Sequence, residues 1–134
     1  MKIQFWLPMI ALSSSLGCGS LDMCGNEVKA RVSSPDGSRE AVVFQRDCGA
    51  TTGFSTQVSV LNRGEPFRES SSLWHATEFG NALVLGEHGA SEARLRWNGN
   101  RELTILVNPQ AKVHQVAPQV RDVTLHLERA ASVQ

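Results

Sequence analysis

The three cysteines, Cys18, Cys24 and Cys48, are the residues of this chain with the widest choice of chemistry. A thiol can be acylated, can pair in a disulfide or can bind zinc. The sequence contains no CxxC redox motif and no second cysteine pair at zinc spacing. In an oxidising compartment, an odd number of cysteines leaves one thiol unpaired. The compartment therefore decides which chemistry applies.

The N-terminal segment has the layout of a secretory signal. Lys2 precedes an apolar run from Ile3 to Leu12, and small residues follow up to Gly17. The run is about ten residues long and contains Pro8, whereas a membrane-spanning helix needs roughly 20 residues. We therefore predict a removable signal helix and export of the rest of the chain.

Cys18 directly follows Gly17, and this placement resembles the lipobox of bacterial lipoproteins. The resemblance implies that the Cys18 thiol receives a diacylglyceryl group, which anchors the protein in a lipid bilayer. Ser15 stands where that pattern has Leu, and Leu16 where it has a small residue, so a soluble secreted protein is the alternative. Gly19 after the cysteine implies the periplasmic face of the outer membrane if the source is Gram-negative.

Acylation of Cys18 leaves Cys24 and Cys48 to pair with each other. The turn signal Ser34-Pro35-Asp36-Gly37 lies midway between them, with Pro and Gly placed for a tight turn. A hairpin around this turn brings the two thiols close together, so we predict a Cys24–Cys48 disulfide. The alternative is two unpaired buried thiols.

The connection after Cys48 is rich in hydroxyl side chains and glycines. A polar loop that a disulfide holds at one end is suited to binding a glycan, a peptide or a protein, although its hydroxyls can equally satisfy its own backbone. We predict a binding loop there, extended by the segment around Trp74, whose pattern fits either an irregular flap or a short helix. Its candidate contact residues are Arg46, Asp47, Thr51, Thr52, Phe54, Ser55 and Trp74.

No catalytic or metal motif emerges from the remaining residues. The histidines His75, His88, His114 and His126 lack a second ligand at short spacing, and there is no GxSxG elbow or phosphate-binding loop. Basic residues are scattered along the chain without interleaved aromatics, which argues against nucleic acid as a partner. We therefore expect a noncatalytic protein without a cofactor.

Downstream of residue 26 the apolar residues alternate with period two, which predicts strands. Val28, Ala30 and Val32 predict a half-buried first strand. Further strands are predicted over 40–46, which we expect to be buried on both faces, and over 54–62, 82–87, 93–97, 102–107 and 120–128. Asn98-Gly99 is expected to supply the positive φ angles of a hairpin turn.

About seven strands predict an all-β fold, either a single antiparallel β-sandwich or a partly open barrel. The predicted organisation is a signal peptide over 1–17, a tether over 18–25 and one domain over 26–134. Loss of Lys2 with the signal leaves 12 basic and 13 acidic residues, a net charge of −1.

Two segments, Ser34 to Gly37 and Asp47 to Val60, resemble a family of small bacterial proteins with no assigned activity. The resemblance covers residues 24–60 and reaches the 94–97 region weakly. It implies a shared β-rich domain and assigns no catalytic residue.

Two classes of function fit these features. The first is a noncatalytic envelope lipoprotein whose β-domain binds a protein or an envelope polymer. The second is a secreted or anchored inhibitor of a hydrolase, in which the stiffened loop plugs a foreign active site. A protruding loop residue would favour the inhibitor.

The first prediction concerns the anchor. Protein purified from bacterial membranes should have an intact mass that begins at Cys18 and includes acyl chains, with two thiols appearing only after reduction. An unacylated mass with a free Cys18 would contradict the lipid anchor.

Overall fold

The computed structural model describes residues 24–49, 53–67, 80–86 and 92–131, and these residues form nine strands and no helix. No helix in these ranges could therefore span a membrane. The predicted signal helix, Cys18 and most of the tether lie outside the described residues. The strands are β1 (Gly25–Ser33), β2 (Arg39–Asp47), β3 (Ser55–Asn62), β4 (Leu83–Leu85), β5 (Ala93–Gly99), β6 (Glu102–Val107), β7 (Val113–Val116), β8 (Gln119–Val120) and β9 (Val123–Arg129).

The strands form two sheets. The first has five strands in the order β1-β2-β3-β4-β7, and all of its neighbours are antiparallel. The second has the order β5-β6-β9-β8, in which β6 and β9 are parallel and the other neighbours are antiparallel. A parallel pair needs a crossover connection. Here the chain between β6 and β9 crosses to the first sheet and forms β7 there.

One hydrophobic core joins the two sheets. Val43, Val58 and Leu83 from the first sheet share this core with Ile105 and Val123 from the second. Full burial of each such side chain stabilises the fold by about 1.5–3 kcal/mol before entropy is counted. The all-β prediction is confirmed, and the arrangement is two facing sheets without a closed barrel, which is consistent with a β-sandwich. The prediction of purely antiparallel pairing is wrong at β6 and β9, because the crossover through β7 returns the chain in the same direction.

The prediction that β2 is buried on both faces is also confirmed. Ala41 and Val43 lie in the core between the sheets, whereas Val42 and Phe44 belong to a second apolar cluster on the opposite face. Phe67 contributes to that cluster, with its ring 4.8 Å from the ring of Phe44. The sequence of a strand that is covered on both faces is therefore a continuous run of apolar residues.

The prediction that Val28, Ala30 and Val32 share one face is wrong. A β-bulge at Lys29 shifts the register, so Val28 lies opposite Phe44 and Val32 lies opposite Ala41, on different faces of the sheet. Ala30 is exposed. The extra residue breaks the period-two pattern in the middle of an edge strand.

The prediction of positive φ angles at Asn98-Gly99 is wrong as well. The bulge between β5 and β6 falls at Asn98, Gly99 pairs with Glu102, and the chain reverses at Asn100 and Arg101. Gly99 is not among the residues with positive φ. The reason is tertiary, since the side chains of this turn bind the turn between β1 and β2.

Asp36 is the centre of that contact. Its Oδ1 accepts hydrogen bonds from the Ser34 hydroxyl and from the amide and hydroxyl of Ser38. The Asp36 amide donates to Oδ1 of Asn100 at 2.9 Å, and Arg101 Nη1 lies 3.4 Å from Asp36 Oδ2. Hydrogen bonds from Ser38 and Ser34 hold the pKa of the Asp36 carboxyl far below its ordinary value.

The single predicted last strand is divided into β8 and β9. Between them the chain reverses at Arg121, which has a φ of 56°, and Asp122. The Asp122 carboxylate lies 3.0 Å from Arg39 Nε and 2.6 Å from Arg101 Nε, so it joins β2 to the β5–β6 turn. The hydrogen bond from Arg39 lowers the pKa of Asp122.

Arg121 forms a bidentate pair with Glu65, in the turn after β3, at 2.6 and 2.9 Å. Oε2 of Glu65 also accepts the amide of Asn62 at 2.9 Å. These hydrogen bonds lower the pKa of Glu65 from 4.5 to about 2 and raise the pKa of Arg121. The pair ties the first sheet to the second at the same end of the molecule.

The substitution Glu65→Gln should make the free energy of unfolding depend less on pH under acidic conditions. Because the folded pKa of Glu65 is depressed, its stabilisation is complete above about pH 5 and is lost as the pH falls through about 2. We expect the variant to lose about 1 kcal/mol or less at pH 7, a Tm shift of a few degrees, because the pair is partly exposed. The difference in Tm from the wild type should vanish near pH 2.

Glu102→Gln is the matched control, because Glu102 is an exposed carboxylate that forms no ion pair within the described part of the chain. Equal Tm-versus-pH curves for the wild type and Glu65→Gln would contradict the role of the Glu65–Arg121 pair.

Candidate functional site

The disulfide lies at the end of the molecule opposite the β1–β2 turn. Gly25 and Asp47 form the last pair of the β1–β2 ladder, and Cys24 and Cys48 are joined directly beyond it. The predicted Cys24–Cys48 disulfide is present in the structure. The cross-link closes a loop with a sequence separation of 24, which would stabilise the fold by about 3 kcal/mol.

Arg46 lies inside the protein rather than on the predicted contact surface. Its side chain is only 4% exposed, and Nη1 donates to Oδ1 of the buried Asn26 at 3.1 Å. Arg46 and Asn26 face each other across β1 and β2. Arg46 therefore stabilises the hairpin from inside the protein. The prediction that it lies on the contact surface is wrong, because its charge and its position beside the loop do not make it exposed.

A cavity of about 210 Å³ opens beside the disulfide. Its polar lining comes from Glu27 and Gln45, which lie opposite each other in the ladder, and from the neighbouring Asp47. Gln45 is two residues from the core residue Val43, so these side chains continue the core-facing side of the sheet. The complete lining is Gly25, Asn26, Glu27, Gln45, Asp47 and Phe54.

Phe54 forms the apolar wall of this cavity and is 56% exposed, more than any other large apolar side chain in the described part of the chain. The residue next to it is anchored, because the hydroxyl of Ser55 donates to the carbonyl of Leu85 at 2.7 Å and accepts from Nε2 of Gln57. The chain that carries Phe54 is thus fixed to β4.

Among the predicted contact residues, the structure brings Asp47 and Phe54 together at the cavity and places Ser55 behind it as an anchor. Thr51, Thr52 and Trp74 lie outside the described residues. Glu27 and Gln45 were not predicted. Counting back from the β1–β2 turn would have paired Glu27 with Arg46, because only the bulge at Lys29 brings Glu27 opposite Gln45.

A second cavity, of about 510 Å³, lies at the opposite end between the turns after β1 and β3. Its charged lining includes Asp36, Arg39 and Glu40. Asp36 and Arg39 hold the turns together, and Glu40 pairs with Arg31 at 3.1 Å. Three of its four charged groups, all except Arg63, already serve the fold, so the smaller cavity is the better candidate site.

Within the described ranges, no three His, Cys, Asp or Glu side chains are close enough to bind a metal ion. His114 and His126 are exposed on β7 and β9, in different sheets. His75 and His88 lie outside the described residues.

Comparison of the chain with protein-family models, with characterised proteins and with solved structures found no match. The resemblance of residues 24–60 to a family of small bacterial proteins stays a prediction.

Reduction of the disulfide should destabilise the domain by about 3 kcal/mol, because the unfolded chain regains the entropy of an open loop. Urea unfolding with and without reductant measures the effect, and the variant in which both cysteines are Ser should match the reduced protein. The same unfolding midpoint with and without reductant would contradict this contribution.

Proposed function

We propose that this chain is a noncatalytic, lipid-anchored module of the bacterial cell envelope, built on a β-sandwich, that binds a protein or an envelope polymer at its disulfide end. The observation that carries the proposal is the cavity there, with the exposed ring of Phe54 beside polar side chains of β1 and β2. Exposed aromatic residues on a rigid support are typical of contact surfaces.

The composition of the cavity favours binding over catalysis. Its described lining consists of two carboxylates, two amides, one glycine and one phenylalanine. These lining residues include no Ser, Cys, Lys or His, so the arrangement offers hydrogen bonds, charge and an apolar wall.

The position of the site suits a membrane-anchored protein. Cys18 precedes Cys24 by six residues, which reach at most about 20 Å when fully extended. If Cys18 carries the lipid, the disulfide end stays close to the bilayer, and the partner must be accessible there. Cleavage without acylation would make the same surface part of a soluble secreted protein.

Inhibition of a hydrolase is the second candidate, because Phe54 is an exposed residue beside a disulfide-held loop. An inhibitor of this kind inserts a protruding residue into an active site. Phe54 instead forms the wall of a concave site, and this concavity favours a module that receives a group from its partner.

Photo-crosslinking in living bacteria tests the proposal. A photoreactive phenylalanine analogue at position 54 should crosslink to a discrete envelope partner, because the ring is exposed at the site. The same analogue in place of the exposed Thr124, on β9 of the other sheet, is the control and should give no such product. Equal labelling from both positions, or none from position 54, would contradict a contact surface at the disulfide end.

A further inference from the structure

We infer that the cavity at the disulfide end receives a basic side chain, lysine or arginine, of a protein partner. This inference rests on the proposed function and specifies the chemistry of its partner. It follows from the size of the cavity, the charge of its lining and the exposed aromatic ring.

The size favours one side chain. Sites for small molecules usually measure about 300–1,000 Å³, and this cavity is about 210 Å³. A single long side chain fits a space of this size, whereas a drug-sized ligand does not.

The charge of the lining favours a cation. Glu27 and Asp47 both line the cavity, and its described lining contains no basic residue. The Glu27 carboxylate already accepts an ammonium, that of Lys29 in the same strand, at 2.8 Å. The side chains of this pair are 72% and 45% exposed, so the contact is weak and can exchange for that of a partner.

The ring of Phe54, like the carboxylates, favours a positively charged group in the cavity. Cations are attracted to the faces of aromatic rings within about 6 Å. The protein uses such a contact elsewhere, where the guanidinium of Arg31 lies 5.7 Å from the ring centre of Phe67. A basic side chain between Phe54 and the carboxylates would combine an aromatic contact with charge-assisted hydrogen bonds.

Addition of a partner strand along β1 is the competing mode, because β1 is the edge of the first sheet. The bulge at Lys29 and the exposed charges of Glu27, Lys29 and Arg31 oppose such pairing. Side-chain insertion next to the edge meets no such obstacle.

Titration of the purified full-length protein with short peptides, followed by NMR, tests the inference. The probes are acetyl-Gly-Arg-Gly-amide and its lysine counterpart, with norleucine and glutamate peptides as controls. We expect saturable shifts at Glu27, Gln45 and Phe54 with the basic peptides only. Equal shifts with norleucine would overturn the inference, as would shifts with phosphatidylethanolamine vesicles but not with the peptides.

Conservative variants identify the groups responsible. The double variant Glu27→Gln and Asp47→Asn should weaken binding of the arginine peptide at least about fivefold, since each charge-assisted bond is replaced by a neutral one. Phe54→Leu should weaken it about two- to fivefold. Glu102→Gln should leave it unchanged, and an unchanged Tm for each variant shows that the fold is intact.

The crosslink at position 54 separates this inference from the proposed function. If the crosslink forms in the wild type and persists undiminished in the double variant Glu27→Gln and Asp47→Asn, the proposed contact surface stands. The inference that the cavity receives a basic side chain is then wrong. If no crosslink forms in the wild type, the proposed function itself fails.

Discussion

The turn between β1 and β2 is the constraint on which the rest of the structure depends. Three donors from Ser34 and Ser38 converge on one oxygen of Asp36, and Gly37 takes the positive φ of 69° that follows the turn. Because a hairpin turn sets the register of its strands, this turn decides which residues face each other up to the bulge at Lys29, which shifts the ladder by one residue. The turn and the bulge together place Cys24 beside Cys48 and Glu27 opposite Gln45 at the far end of the ladder.

The same turn also joins the two sheets. The Asp36 amide and carboxylate contact Asn100 and Arg101, and the indole Nε1 of Trp97 donates to the carbonyl of Val32 at 3.0 Å. Ion pairs through Asp122 and Glu65 complete the contacts at this end. Each exposed pair contributes little, but several charges that share partners hold one geometry more firmly than isolated pairs do.

The two ends of the protein thus differ in what their polar groups do. At the turn end, the carboxylates of Asp36, Glu65 and Asp122 are engaged by hydroxyls, amides and guanidinium groups of the fold itself. At the disulfide end, Glu27 pairs with the exposed Lys29, Oδ1 of Asp47 accepts the amide of Gly49, and Phe54 faces solvent. A covalent bond, rather than a network of ion pairs between the sheets, holds the strand ends together there.

The sequence by itself determined the features that depend on neighbours along the chain. Period-two patterns and turn residues located β2, β3, β5 and β6, and the turn midway between Cys24 and Cys48 predicted their disulfide. Only the tertiary structure decided the bulge at Lys29, the reversal at Asn100 and Arg101, the parallel pairing of β6 with β9, and the burial of Arg46. These features arise where distant segments compete with local preference. A shift of the pairing register by one residue costs little free energy within a strand, but it changes which residues face each other across the sheet.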